Sequence, residues 1–212
     1  MYPEPGGDRM QKIDFKKRLG ALYSAPAKAP VLIEVPEMSF IMIDGAGDPN
    51  TSERFKQAVE ALFSVSYALK FLVKKGPLGI DYGVLPLEGV WWAGDMSAFT
   101  SADKASWKWT LMIMQPEFVG RELFEEARAQ VRNKKGLPAV DLLRLESFRE
   151  GFSAQLLHVG PFSEEGPTVR RLHQYIEENG YRRRGKHREI YLSDLRRAAP
   201  EKLKTIIRQP IE

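Results

Sequence analysis

Two stretches of the chain decide its fold, Leu85–Trp92 (LPLEGVWW) and His187–Leu192 (HREIYL). Each is a strand-like run of mostly apolar and aromatic residues that contains a carboxylate, and each is followed downstream by a second run that ends in Gln-Pro, at residues 115–116 and 209–210. A motif that recurs together with its downstream partner indicates a duplicated supersecondary unit. Because a carboxylate in a buried strand costs free energy unless it is paired or used, both glutamates are candidates for function.

The first half of the chain reads as strand, helix, strand, strand. A strand at 31–43 is predicted to be interrupted at Pro36, since proline cannot donate to a β-ladder. Apolar residues at helical spacing predict a helix from about Ser52 to Lys74, and strands follow at 82–93 and 107–115.

The second half repeats this plan after a connecting helix at about Val119–Lys134. A long strand at 142–160 precedes a helix at Thr168–Asn179, and two further strands follow at 187–193 and 203–209. The predicted class is therefore α+β, built from a duplicated βαββ unit with antiparallel sheets, helices on one face and a concave ligand groove on the other.

The domain plan follows from the same pattern. Residues 1–30, with scattered charge and a Pro/Ala stretch, are predicted to form a loose amino-terminal arm. One ligand-binding domain at 31–212 follows, with pseudo-repeats at about 31–136 and 137–212. A length of 212 residues with 43% hydrophobic residues agrees with one globular domain.

Composition removes several classes of site and partner. The chain has no cysteine, which excludes disulfides and thiolate metal sites, and its three histidines lack metal-ligand spacing, so we expect no metal or cofactor. Basic clusters are interspersed with acidic residues at a net charge of only +4, and we expect no direct DNA binding. With no membrane-spanning apolar run and no signal-peptide pattern, a cytoplasmic location is predicted.

Four segments carry a resemblance to a known family. Arg184–Asp194 (RGKHREIYLSD) and His158–Phe162 (HVGPF) resemble segments of GyrI-like small-molecule-binding domains, and Pro86–Trp92 (PLEGVWW) and Trp107–Thr110 (WKWT) are similar to its stand-alone bacterial subgroup. The similarity extends from about residue 31 to the carboxyl end. It implies an apolar, aromatic pocket with a buried acidic residue.

Relatives of this kind sense cationic or hydrophobic compounds, inhibit gyrase, or hydrolyse cyclopropane-bearing genotoxic compounds. The resemblance therefore implies multidrug binding or xenobiotic detoxification, with hydrophobic or cationic small molecules as partners. Gyrase is a less favoured partner. A regulator role is also less favoured, because no DNA-binding domain accompanies the pocket.

Strand alternation gives a face to each residue of the second run. His187, Glu189 and Tyr191 share one face, and Ile190 and Leu192 share the other. We expect the two aliphatic residues to pack under the helices. Glu189 and Tyr191 would then face the groove.

Glu189 is the candidate catalytic residue. Desolvation in an aromatic pocket favours the protonated form of a carboxyl group, which makes such a group usable as a proton donor or base. An ionised Glu189 would instead attract a cationic ligand. The alternative is a structural carboxylate paired with Arg188 or Lys186.

Glu88 is predicted to be the ligand-binding counterpart of Glu189 in the first repeat. Paired carboxylates suit acid–base hydrolysis when one of them stays protonated. The alternative is a surface or turn glutamate beside Gly89.

Aromatic residues complete the predicted pocket. Trp91 and Trp92 must face opposite sides of a strand, so at most one lines the groove, and we assign Trp92 to it. Trp107 and Trp109 share a face, and their rings offer flat apolar surfaces and cation–π contacts. Tyr67 of the first helix can also reach the groove. For all of these residues the alternative is ordinary core packing.

Three functions fit these residues: a module that sequesters or senses small molecules, a hydrolase that uses the same pocket, and an interaction protein such as a gyrase inhibitor. The first two require the same apolar pocket and carboxylate. Whether the protein is an enzyme is left open by the sequence.

Overall fold

The computed structural model describes residues 11–93, 104–194 and 197–212, which contain a closed barrel of antiparallel strands with helices on its outer surface. In chain order the helices and strands of the described residues are β1 (Gln11–Ile13), α1 (Phe15–Arg18), β2 (Val31–Ala46), α2 (Glu53–Lys75), β3 (Ile80–Tyr82), β4 (Leu87–Trp92), β5 (Lys108–Gln115), α3 (Arg121–Lys135), β6 (Arg144–Val159), α4 (Gly166–Glu178), β7 (His187–Tyr191) and β8 (Lys204–Pro210).

The barrel is made of two copies of one unit. The first copy is β2, α2, β4 and β5, and the second is β6, α4, β7 and β8. The strand order around the barrel is β2-β5-β4-β7-β8-β6, and it reads the same from either end when the two copies are exchanged. Pairing between β2 and β6 closes the ring. The predicted α+β class and the repeated βαββ order are confirmed.

Two helices cover opposite parts of the barrel. The amino end of α2 is capped by Ser52, whose Oγ accepts a hydrogen bond from the backbone N–H of Phe55 at 3.2 Å. The helix packs across β2 and β5, where Gln115 Nε2 donates to Ser66 Oγ. Helix α4 packs across β6 and β8. Strands β4 and β7 therefore lie between the two helix-covered pairs.

The register assigns a face to every residue of β4 and β7. Glu189 is paired with Gly89 and His187 with Trp91, and the Trp91 ring stacks on Phe55 of α2 at 6.0 Å. The face that carries Glu189 is therefore the outer, helix-bearing face of the barrel. The candidate cleft lies on this face, because closure of the sheet turns the opposite face inward.

The expectation that Ile190 packs under the helices is wrong. Ile190 is paired with Glu88 and is fully buried inside the barrel. Leu192 lies beyond the end of β7 and lines the cleft described below. A one-residue step along a strand reverses the face, so the choice of inner and outer face was not fixed by alternation alone.

Two backbone features differ from the prediction. Strand β2 is continuous through Pro36, because β5 pairs with β2 only from Ser39 onward and the missing N–H of proline interrupts no ladder on that side. The part of the predicted arm within the described residues packs on the barrel: Phe15 and Tyr23 are buried, and β1 pairs in parallel with β3. Residues 1–10 of that arm lie outside the described residues.

Candidate functional site

The barrel interior contains a buried network of charges, and Glu88 belongs to it. Arg188 Nε donates to Glu88 Oε2 at 2.9 Å, and Arg188 Nη1 donates to Glu150 Oε2 at 3.0 Å. Arg208 Nη1 also reaches Glu150, at 3.2 Å, and the Tyr23 hydroxyl donates to Glu88 Oε1 at 2.8 Å. These side chains are almost completely buried. The two guanidinium groups pair with the two carboxylates, so the charges of the network are compensated inside the protein.

The prediction that Glu88 faces the same groove as Glu189 is therefore wrong. The register sets Glu88 opposite Ile190, one residue out of step with the Gly89–Glu189 pair. Although burial works against the charge of Arg188, the carboxylates of Glu150 and Glu88 raise its pKa overall. The carboxylate of Glu88 is committed to the barrel interior.

The assignment of the two adjacent tryptophans is also reversed. Trp92 follows the face of Glu88, and its ring contacts the Lys186 ammonium, which lies 3.3 Å from the ring centroid. Trp91 is the tryptophan of β4 on the Glu189 face. The sequence showed correctly that the two rings point to opposite sides but did not show which side is the outer one.

Glu189 is held at the centre of a hydrogen-bonded cluster on the outer face. The Tyr191 hydroxyl donates to Glu189 Oε2 at 2.8 Å, and His187 Nε2 lies 3.2 Å from Glu189 Oε1. Trp91 Nε1 donates to the Tyr191 oxygen at 3.0 Å, so the phenol links the indole to the carboxylate. Burial, followed by the charge of Glu189, raises the pKa of Tyr191, and the phenol therefore stays protonated and able to donate.

The cluster depends on a glycine in the neighbouring strand. A β-carbon at Gly89 would lie 2.6 Å from Trp91 Nε1 and 3.1 Å from the Tyr191 hydroxyl oxygen. The missing side chain therefore makes the room in which indole, phenol and carboxylate meet. In the sequence, Gly89 was noted only as the neighbour of Glu88.

Aromatic rings surround this cluster. Trp107 packs edge-on against Trp91 with centroids 5.9 Å apart, and Phe162 packs edge-on against Tyr191 at 5.6 Å. Trp109 is fully buried and packs edge-on against Phe55 at 5.3 Å, which places it in the core under α2. Trp107 therefore lies beside the cluster, whereas Trp109 belongs to the core between the barrel and α2.

Glu165 was missed by the sequence analysis. It directly precedes α4 and is 8% exposed. Its carboxyl group is hydrogen-bonded to the side chain of Thr205, which is paired with Tyr191 in the sheet. Burial, and then the nearby charge of Glu189, raise the pKa of Glu165 to about 9. In the sequence, the segment 160–166 that carries it was noted only as a helix start and for the family resemblance of its first residues. Nothing there singled out Glu165, because only tertiary packing brings the segment onto β7.

A large cleft opens beside the cluster. It has a volume of about 1520 Å³, and its walls come from α2, α3 and the segments before β4 and after β7. Tyr191 and Leu87, which are paired across β4 and β7, are among the residues that line it, and so is Tyr67, half exposed on α2. Glu189 is two residues along the strand from Tyr191, at a Cα separation of about 6.6 Å. Tyr191 is thus the contact between the cleft and the carboxylate cluster.

The remaining classes of site were tested against the described residues. Within residues 11–93, 104–194 and 197–212, no group of three His, Asp or Glu side chains is arranged to hold a metal ion. No helix in those same ranges combines the length and apolar character needed to cross a membrane.

Comparison with known proteins agrees with this fold. An uncharacterized conserved protein from Listeria innocua is 43% identical, with a TM-score of 0.87 over 94% of this chain and 100% of that one. A hydrolase from Listeria innocua is 41% identical, with a TM-score of 0.82 over 94% of this chain and 100% of that one. The C-terminal domain of EcmrR is 15% identical, with a TM-score of 0.52 over 86% of this chain and 96% of that domain, and it shares the fold.

Among proteins of curated function, none matches the sequence significantly. The family profile of the GyrI-like small-molecule-binding domain matches residues 28–212, which include both repeats, the Glu189 cluster and most of the cleft. The chain therefore belongs to the family of GyrI-like small-molecule-binding domains.

Proposed function

We propose that this protein binds planar, hydrophobic small molecules in the cleft and hydrolyses those that carry a strained, electrophilic cyclopropane ring. The observation that carries the proposal is the Glu189 carboxylate, which Tyr191 and His187 fix among aromatic rings, next to the cleft that Tyr191 lines. A fixed carboxylate among flat apolar surfaces supplies both a base and a binding surface for such a compound.

Hydrolysis of a strained ring requires few catalytic groups. Ring strain already favours opening, so the site needs to orient the electrophile and activate one water molecule. Glu189 is the base in this scheme, and the Tyr191 and His187 contacts hold its two oxygens in place. Phe162, which packs edge-on against Tyr191 and is 37% exposed, is suited to hold a planar ring system.

The charge distribution favours a neutral ligand over a cationic one along the cleft. Lys56, Lys75, Lys134 and Lys135 are among the residues that line it, with Glu60 and Asp194 as the acidic ones. The lysines that line the cleft outnumber these two carboxylates, so a cationic group would be repelled along it. We accordingly propose that the electrophilic ring lies beside Tyr191 and Glu189 and that the apolar remainder of the molecule lies along α2.

Two relatives support the enzymatic part of the proposal. The Listeria innocua protein at 41% identity is described as a hydrolase, and so is a second one at 42% identity. An activity of this kind, inside a cell, would detoxify reactive xenobiotics before they reach DNA.

The test is turnover of a planar aromatic ketone that carries a conjugated cyclopropane ring, followed by mass spectrometry. We expect the wild type to form a product heavier by one water, and Glu189→Gln to be about 10²- to 10⁴-fold slower, the range that a general base contributes. Glu34→Gln, at an exposed carboxylate of β2, is the matched control and should retain full activity.

Binding of the probe without product in both wild type and Glu189→Gln would refute hydrolysis of this substrate class. Such a result would leave a protein that sequesters or senses the ligand. Absence of saturable binding to the wild type would refute the proposed cleft ligand as well.

A further inference from the structure

We infer that Glu165 and Glu189 act as one carboxyl pair in which Glu165 holds the proton and serves as the acid while Glu189 serves as the base. This inference rests on the hydrolase proposed above and adds to it a second catalytic residue. It assigns to the turn before α4 a role in the chemistry.

The first support is the position of Glu165 over the outer face of β7 and β8. Its carboxyl group is hydrogen-bonded to the side chain of Thr205, the residue paired with Tyr191. Three residues earlier, Phe162 packs against the Tyr191 ring at 5.6 Å. The turn is therefore anchored on the same phenol that donates to Glu189, and the Glu189 charge acts on the Glu165 carboxyl group.

The second support is an unsatisfied oxygen. The residue is only 8% exposed. Its Oε1 atom is buried and has no hydrogen-bond partner among the described side chains and backbone. A buried ionised carboxylate would need several donors, and a single hydroxyl contact is not enough. A protonated carboxyl with one O–H left to donate fits this environment.

The third support is the set of charges around Glu165. Strand β7 contributes the Glu189 carboxylate and the protonated Tyr191 phenol. His187 of the same strand contacts Glu189 through the carboxylate oxygen that Tyr191 does not bind. Lys104, from the turn before β5, is the cation that opposes protonation. Burial and Glu189 outweigh Lys104 and the Thr205 hydrogen bond, so the pKa of Glu165 lies near 9 and the group is protonated at neutral pH.

The proposed reaction balances with these two groups. Glu189 takes a proton from water as the water oxygen bonds to a ring CH₂ carbon. The ring C–C bond breaks, and its electron pair moves to the conjugated carbonyl oxygen, which takes the proton of Glu165. The proton on Glu189 then returns to Glu165, so the net change is the addition of one water and the pair is restored.

The primary test does not depend on turnover. Difference infrared spectroscopy of the ligand-free protein measures the carbonyl stretch of a protonated carboxylic acid as pH is varied. We expect this band at pH 7 in the wild type and in the matched control Glu164→Gln, an exposed neighbour, and its loss in Glu165→Gln. In Glu189→Gln its titration midpoint should fall, because the carboxylate charge that favours protonation is gone.

A second variant keeps the test decisive if Glu165→Gln does not fold. Thr205→Val removes the hydrogen bond that favours the ionised form, so the midpoint of the band should rise. A band that persists in Glu165→Gln, or a midpoint unchanged in both Glu189→Gln and Thr205→Val, would overturn the pair.

Turnover then separates this inference from the hydrolase proposal. If the pair acts as stated, Glu165→Gln lowers kcat by about 10²-fold or more with little change in KM, and it abolishes the decline of activity at alkaline pH. A titrating pair without any turnover would refute the hydrolase alone. Turnover that depends on Glu189 but not on Glu165 would refute the pair alone.

Discussion

At the residue scale, Tyr191 connects the cleft to the carboxylate cluster. Its hydroxyl accepts from Trp91 and donates to Glu189, and the residue also lines the cleft. Tyr191→Phe removes a hydrogen bond to a charged acceptor, which contributes about 1.5–3 kcal/mol. We therefore expect turnover of the cyclopropane probe to fall by roughly 10- to 100-fold, measured under single-turnover conditions.

The control for this prediction is Tyr175→Phe, the same change on α4. It should leave turnover unchanged, and both variants should remain folded at the assay temperature, as followed by circular dichroism. Full activity in Tyr191→Phe would mean that the phenol does not orient Glu189.

At the scale of secondary-structure elements, the contact between α2 and the barrel depends on Gly45. A β-carbon there would overlap the Trp109 ring, which is fully buried and packs against Phe55 of α2. Because the ring has no free space to enter, Gly45→Ala should force a shift of the helix or strand. We expect the free energy of unfolding to fall by about 1–3 kcal/mol, measured by urea denaturation.

Gly83→Ala is the matched control for this element. A β-carbon at Gly83 meets no atom within 4 Å, and its φ is not positive. Its free energy of unfolding should stay within about 0.5 kcal/mol of the wild type. Equal stability of the two variants would show that α2 tolerates displacement of Trp109.

At the scale of the whole molecule, the buried charge network joins strands from both repeats. Arg188 of β7 binds Glu88 of β4 and Glu150 of β6, and its guanidinium lies 5.0 Å from the Phe40 ring of β2. Arg188→Met removes one charge and leaves buried carboxylates without their partner. We expect a loss of about 3–5 kcal/mol in the free energy of unfolding, measured by chemical denaturation.

Arg144→Met is the comparison for the network. Arg144 forms ion pairs with Asp44 and Glu146, but all three side chains are partly exposed to solvent. Its loss should cost less than about 1 kcal/mol, as is usual for surface ion pairs. A similar small cost for Arg188→Met would show that the interior carboxylates find other compensation.

Much of the fold could be predicted from periodicity. Helix α2 was expected at Ser52–Lys74 and is observed at Glu53–Lys75, with Ser52 as its cap, because both signals are local. The shared face of His187, Glu189 and Tyr191 was also correct, since the period of a strand is two. The continuous path of β2 through Pro36 was not foreseen, because it depends on which neighbouring strand pairs there.

By itself, the sequence determined the duplicated α+β unit, and it also determined that Glu189 and Tyr191 lie on one side of a strand. Only the tertiary structure decided which side faces out: it sent Glu88 and Trp92 to the inner face and brought Trp91 and Glu165 to Glu189. The physical reason is that propensity and alternation are properties of neighbours in the chain. Barrel closure and the approach of a distant turn depend on burial and charge compensation across the whole molecule.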